Sequence, residues 1–341
     1  MGIMFSAFVV IALILSVYLG VEAGGLHVLF GVIIPYAAFV TFLLGVILRV
    51  LKWAKSPVPF RIPTTCGQQK SLDWIEPNKL DNPTTKAGVV GRMALEVLLF
   101  RSLFRNTKSE LHDHNGPKLA YGWEKWLWLA GLAFHWSFFF VVVRHLRFFL
   151  DPVPGFILAI EGIDGFFQVG LQGIQLTGLI LLAAVTFLFF RRVALPQVKY
   201  ISLPADYIPL FLIMGIAGTG IMMRYFVRED VAAVKELTMG LVTFSPTVPD
   251  GISSIFYIHM FLVAVLFAYF PFSKLMHAGG VFMSPTRNMV NNNRAERHVN
   301  PWNYPVKVHT YEEYENDYRK VMKATGIPVD KEDDDEDKSA G

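Results

Sequence analysis

Hydrophobic residues in this chain are gathered into six long runs separated by polar stretches, without the alternation of a soluble amphipathic helix or strand. Runs of roughly 17 to 25 mostly apolar residues are long enough for a helix to cross a bilayer. They lie at about 3–20, 26–48, 126–150, 166–190, 207–223 and 252–272. This pattern predicts an all-α fold, a polytopic membrane helical bundle with six transmembrane helices. The first run has no basic segment before it and no small-residue cleavage site after it, so it reads as a retained anchor and not a signal peptide.

The polar stretches divide the chain. Residues 1–52 hold two N-terminal spans, 53–125 a polar loop, 126–280 a four-helix membrane domain and 281–341 a tail. The loop is broken by Pro57, Pro59, Pro63, Pro77 and Pro83. Beyond them Val89, Met93, Val97, Phe100 and Phe104 fall at near-helical spacing, with Arg92, Glu96, Arg101 and Arg105 between them. That spacing predicts an interfacial helix or a docking face for a soluble partner. The segment 151–165 carries Asp151, Glu161 and Asp164 without Lys or Arg and reads as an external loop. The tail ends in the run Lys331-Glu332-Asp333-Asp334-Asp335-Glu336-Asp337, too charged to pack and expected to be disordered.

Composition sharpens this picture. Only 17% of the 341 residues are charged, against about 25% in water-soluble domains. The net charge of +3 does not point to nucleic acid. The single cysteine, Cys66, excludes an internal disulfide, a Cys-ligated zinc or iron–sulfur site and a Cys-x-x-Cys-His haem attachment. In a Pro-flanked loop it reads as a small buried or partner-facing residue and not a redox thiol, because nothing beside it would clearly lower its pKa. Sorting the cations gives the orientation. With both termini in the cytoplasm, 26 Lys and Arg lie inside and five outside: Arg144, Arg147, Arg224, Arg228 and Lys235.

Of nine histidines, His112, His114, His298 and His309 fall in the polar cytoplasmic segments and read as surface residues, and His27 reads as an interfacial residue without a partner. The other four are at membrane depth, where ionisable side chains are costly and usually functional. Span three runs outward and span six inward, so His145 can face His259 at the outer end and His135 can face His277 at the inner end. On a continuous helix the eighteen-residue step from His259 to His277 covers about 27 Å and five whole turns. The ten-residue step from His135 to His145 covers about 15 Å and misses a whole number of turns by about 80°. Two imidazoles from facing helices are a natural ligand set for a six-coordinate b-type haem, and bundle cores hold such cofactors. The competing class is a transporter or structural anchor in which the histidines relay protons or brace helices.

These spacings, with Phe134-His135-Trp136, Arg144-His145-Leu146 and Lys274-Leu275-Met276-His277, resemble the gamma subunit of respiratory nitrate reductase, a membrane cytochrome b with two haems. The resemblance covers roughly residues 126–290 and implies His135, His145, His259 and His277 as axial ligands. An extra N-terminal span and the loop sequence Pro59-Phe60-Arg61-Ile62-Pro63-Thr64-Thr65-Cys66-Gly67-Gln68-Gln69 depart from that family and look like DsrM, the membrane cytochrome b family of the complex linked to dissimilatory sulfite reduction. The membrane cytochrome of heterodisulfide reductase is a close relative. The resemblance implies a subunit of the prokaryotic cytoplasmic membrane that exchanges electrons with menaquinol or menaquinone. Its implied partners are a DsrK-like iron–sulfur subunit in the cytoplasm, other membrane and periplasmic redox subunits including a multihaem cytochrome c, and DsrC downstream.

The chain shows no residues for breaking bonds in sulfite or nitrate, so its expected work is electron transfer. Candidate quinone or haem-propionate contacts on the outer side are Arg144, Arg147, Gln168 and Gln172, with Gln175, Glu161 and Asp164 nearby. Each has a plainer reading: snorkelling arginines, glutamines that tie helices together, and solvated loop carboxylates.

Overall fold

The computed structural model describes residues 2–56, 68–113, 116–165, 174–296 and 308–331. Six of its helices are long and apolar enough to span a membrane: α1 (Gly2–Glu22), α2 (Leu29–Ala54, whose first turn is a π turn), α5 (Lys125–His145), α7 (Leu176–Ala194), α9 (Pro204–Met222) and α11 (Ser254–Tyr269). Between them lie α3 (Lys86–Leu99), α4 (Arg101–Phe104), β1 (Thr107–His112), β2 (Lys118–Trp123), α6 (Gly155–Asp164), α8 (Pro196–Tyr200) and α10 (Val231–Val242). After α11 come the short α12 (His277–Gly280) and the polar α13 (Tyr311–Ala324).

The spanning helices alternate in direction. One end of the bundle, called the near end, gathers the start of α1, the end of α7 and the start of α9, where Ser6 Oγ donates to Pro204 O at 3.1 Å. The opposite, far end carries α6 and α10. In packing, α5 lies on α7 and α7 on α9, while α9, α11 and α1 contact one another and α2 covers α11. The core runs through this cluster, with Val17, Leu212, Tyr257 and Leu262 fully buried and Leu237 of α10 closing it at the far end. Phe8, Leu15, Phe39 and Leu43 on α1 and α2 point outward. Helices apolar on all sides tolerate this only against lipid.

Several expectations change. Of the span expected at 166–190, the described residues form α7 over Leu176–Ala194; residues 166–173, with Gln168 and Gln172, lie outside the described residues. The segment 151–165 is not a loop but contains α6. Span six is helical from Ser254 to Phe272, but the helix does not continue unbroken to His277. Pro271 has no N–H to continue the ladder, Ser273 is extended, and its hydroxyl accepts the Leu275 N–H at 3.1 Å to start the turn before His277. The eighteen-residue helical step is therefore broken, and this break re-aims His277.

The stretch 89–105 is helical, as its spacing predicts, but splits at Phe100, which sits in the left-handed region at φ 49°. Thr85 caps α3 by accepting the Gly88 N–H at 3.1 Å. Helix α3 buries Arg92 and Glu96 while Val90, Leu98 and Leu99 are exposed. A charge-inward helix suits lipid or a partner better than water. The antiparallel hairpin β1–β2 was not expected. It pairs Thr107 with Trp123 and His112 with Lys118, and its Leu111, Leu119, Tyr121 and Trp123 are exposed. Loop and tail are clamped together at the near end: Asn291 Nδ2 donates to Asn82 Oδ1 at 2.8 Å, and Asn291 N donates to Pro83 O at 2.8 Å. Cys66, most of the loop sequence 59–69, His114, His298 and residues 332–341 of the acidic tail lie outside the described residues.

Candidate functional site

Helices α5 and α11 carry histidines toward one another without substantial backbone contact of their own, since α5 leans on α7 and α11 on α9, α1 and α2. At the far end the rings of His145 and His259 face each other with centroids 6.3 Å apart and planes 16° from parallel. At the near end the rings of His135 and His277 lie 6.0 Å apart with planes 86° apart. A metal ion bonded at about 2 Å to one nitrogen of each ring holds the centroids roughly 6 Å apart. Both pairs have that spacing. Among the described residues no group of three or more His, Cys, Asp or Glu that could hold a metal gathers; what the fold brings together is two facing imidazole pairs.

The other ring nitrogen is occupied in every case. His135 Nδ1 meets Gly131 O at 2.7 Å, His145 Nδ1 meets Val141 O at 2.7 Å and His277 Nδ1 meets Lys274 O at 2.8 Å. His259 Nδ1 lies 2.9 Å from Thr219 Oγ1 on α9. The Thr219 hydroxyl donates to Gly215 O at 2.8 Å, so toward His259 it accepts. Carbonyl and hydroxyl acceptors place the proton on Nδ1 and leave Nε2 free to bind a metal. The helical carbonyl four residues earlier is the acceptor for both α5 histidines. Gly220, next to Thr219, makes room: a Cβ there would stand 3.3 Å from His259 Cε1.

Charged groups surround the far-end pair. Arg144 and Asp164 form a buried ion pair with side chains only 8% and 3% exposed. Asp164 also accepts from Thr177 N and Oγ1 at 2.8 Å each, capping α7. Arg144 Nη1 faces Asp164 Oδ2, while Arg144 Nε is buried with no hydrogen-bond acceptor among the described residues. Buried donors of a guanidinium are costly to leave unmade, so Arg144 fits an acidic group beside His145. Arg147 pairs with Glu161, and Lys235 pairs with Asp151 at 3.1 Å. Glu161 and Asp164 are thus ion-paired side chains of α6, not solvated loop carboxylates. Gln175 donates its backbone N–H to Tyr225 Oη at 2.7 Å. His27 does have a neighbour, the buried Tyr257, whose ring lies edge-on at 5.3 Å.

The near-end pair is more open. Phe100 and Phe134 stand edge-on to His135 at 4.9 and 5.0 Å. Trp128 and Trp136 of α5 donate to Leu99 O and Leu98 O at 2.7 and 3.0 Å, which ties α3 beside the histidine. A cavity of about 180 Å³ opens at His277, lined by Arg192, Asp206, Pro209, Tyr269 and Lys274. Thr219, Gly220, Asp206 and Arg192 escape the sequence reading. One signal was available: Thr219-Gly220 interrupts an apolar helix, where small and hydroxyl residues mark close helix contacts.

Residues 92–295 match the nitrate reductase gamma subunit family. The chain is 49% identical over 282 residues, 81% of its length and 83% of the relative's, to the Hdr-like menaquinol oxidoreductase cytochrome b-like subunit of Archaeoglobus fulgidus. It is 42% identical over 278 residues, 79% of its length and 81% of the relative's, to the protein of the same description in Archaeoglobus profundus. The matched stretch contains all four facing histidines, and the bundle has the multi-pass membrane architecture expected of them: the chain belongs to the nitrate reductase gamma subunit family.

Proposed function

We propose that this chain is the membrane di-haem cytochrome b subunit of a menaquinol-linked respiratory complex of heterodisulfide-reductase-like type. His145 and His259 bind the iron of one b-type haem, and His135 and His277 that of the other. The observation that carries this reading is the pair of ring spacings, 6.3 and 6.0 Å, with Nδ1 occupied on all four histidines. A proton relay or a helix brace has no need for four free Nε2 atoms in two facing pairs.

When bound, the haems supply one-electron transfer between menaquinol and a partner subunit. The protein's own residues hold and orient. Thr219 and the three backbone carbonyls fix the imidazole tautomers. Arg144 offers buried donors to an acidic group, a haem propionate or the polar head of a quinol. The Arg147–Glu161 pair at the far end is the candidate to bind quinol oxygen and to take its proton. With both termini in the cytoplasm, the far end faces outward and protons from menaquinol oxidation leave on that side. The near end then meets a DsrK-like iron–sulfur subunit, with DsrC downstream and a multihaem cytochrome c among the further subunits. The resemblance to DsrM supports this sulfur-metabolism assignment, and the names of the two Archaeoglobus relatives support the menaquinol link.

The test is a reduced-minus-oxidised absorption spectrum of the purified chain with a haem assay. About two b-type haems per chain are expected. A folded protein without haem would sink the proposal.

A further inference from the structure

The cavity at His277 gathers two cations around one carboxylate. Asp206, with its side chain 8% exposed, forms its floor. It accepts Lys274 Nζ at 2.6 Å and Leu203 N at 3.0 Å, and Arg192 Nη1 stands 3.9 Å from its Oδ2. Arg192 is steadied by donating to Ser202 Oγ at 2.8 Å. Two cations against one carboxylate leave one positive charge uncompensated. At the far end each cation of Arg144–Asp164 and Arg147–Glu161 has its own carboxylate.

Volume narrows the ligand. At about 180 Å³ the cavity is smaller than the roughly 300 to 1,000 Å³ of usual small-molecule sites and holds about six water volumes. That suits a short acidic side arm. Pro209 has no N–H to give to Ala205 O, and Tyr269 Oη donates to that carbonyl instead, at a long 3.4 Å. Lys274 is also the residue whose carbonyl fixes His277 Nδ1 at 2.8 Å.

We propose that Arg192 and Lys274 are a carboxylate clamp for the propionate arms of the near-end haem, with Asp206 holding both cations in position. The clamp rests on the di-haem reading. It couples two functions in one segment: the side chain of Lys274 neutralises the arm while its backbone orients the axial imidazole. Cations beside the haem favour the reduced state, so the clamp raises the potential of the near-end haem alone.

The experiment is a redox titration of the full-length purified protein and its Lys274→Gln, Arg192→Gln and Asp206→Asn variants, with the rate of haem loss to excess apomyoglobin as a second readout. The near-end haem is identified as the one missing from His277→Ala. Lys274→Gln and Arg192→Gln should each shift its potential negative and speed its loss about tenfold, the scale on which outer-shell contacts usually act. Asp206→Asn should shift it positive, with the far-end haem unmoved. Lys274 is 73% exposed, so its variant tests the clamp even where Asp206→Asn fails to fold. Variants that keep both haems with unmoved potentials, or that move the far-end haem, overturn the clamp. So does loss of co-purifying anionic lipid from Lys274→Gln without a change in either haem. Absence of haem from the unaltered protein overturns the clamp and the di-haem reading together.

Discussion

The two histidine pairs share a spacing and differ in almost everything around it. The far-end rings are near parallel, sit among paired charges, and depend on a neighbouring helix for one Nδ1 partner. The near-end rings are crossed, take Nδ1 acceptors only from their own segments, and open on a cavity with spare positive charge. Equal ligands in unequal surroundings are how one bundle sets two different potentials. The far-end pair is enclosed by the ion-paired side chains of Arg144, Asp164, Arg147 and Glu161, whereas the near-end pair opens on a cavity lined by Arg192 and Lys274.

The strongest way to break the contrast is to delete one ligand from each end. His259→Ala and His277→Ala should each reduce haem content from about two per chain to about one, because one imidazole cannot hold six-coordinate iron. Electron paramagnetic resonance sharpens the result. Crossed imidazole planes leave two iron d orbitals nearly degenerate and parallel planes split them, so the ferric protein should give one highly anisotropic and one rhombic low-spin signal. His277→Ala should remove the anisotropic signal and His259→Ala the rhombic one. Two identical signals would break the comparison.

A second test attacks the charges of the far end. Asp164→Asn leaves Arg144 buried without its counter-charge, which typically costs about 3–5 kcal/mol, and thermal unfolding in detergent should reveal it. Glu161→Gln, removing a partner of Arg147 that is 25% exposed against 3% for Asp164, should cost about 1 kcal/mol or less. Equal losses from the two would mean that burial does not separate these ion pairs.

Much of this was legible in the sequence, for identifiable reasons. Apolar runs need no partner to be recognised, so all six spans were found, and the order of spans three and six alone put His145 opposite His259 and His135 opposite His277. The break at Pro271 and Ser273 lies at the end of the apolar run, where periodicity does not say whether the helix continues to His277, and His277 still faces His135 because the chain direction does not change. Asp164 looked like a loop residue because its partner Arg144 is 20 positions away in sequence and across the fold. Thr219 acts through a helix contact that periodicity does not encode.

The hydroxyl of Thr219 offers a finer test. Thr219→Val deprives His259 Nδ1 of its acceptor, at about 1–3 kcal/mol and a 10- to 100-fold loss in affinity for the far-end haem. Thr219→Ser should restore both. Gly220→Ala, which brings a Cβ to 3.3 Å from His259 Cε1, should shift the far-end signal by displacing the ring while leaving the near-end signal unchanged.

The smallest expected difference is in response to pH, and it has opposite signs at the two ends. Burial pushes the Asp81 carboxyl up, but hydrogen bonds and charge from Arg101 and Arg105 outweigh it and hold the group below its ordinary value. Its contribution is therefore full above the ordinary carboxylate range and is lost as pH falls through the depressed value. At the far end, burial raises the Glu229 carboxyl, opposed in part by the Ser253 N–H that it accepts at 3.3 Å at the start of α11. The folded state there holds its proton more tightly than the unfolded chain, so stability is present below the ordinary value and declines as pH rises through the raised one. Hydrogen exchange from about pH 2 to 8 should show residues 78–105 opening at the acid end, below the ordinary carboxylate value, and the start of α11 opening toward neutrality. Asp81→Asn should abolish the first trend and Glu229→Gln the second, and trends of the same sign at both ends would erase the distinction.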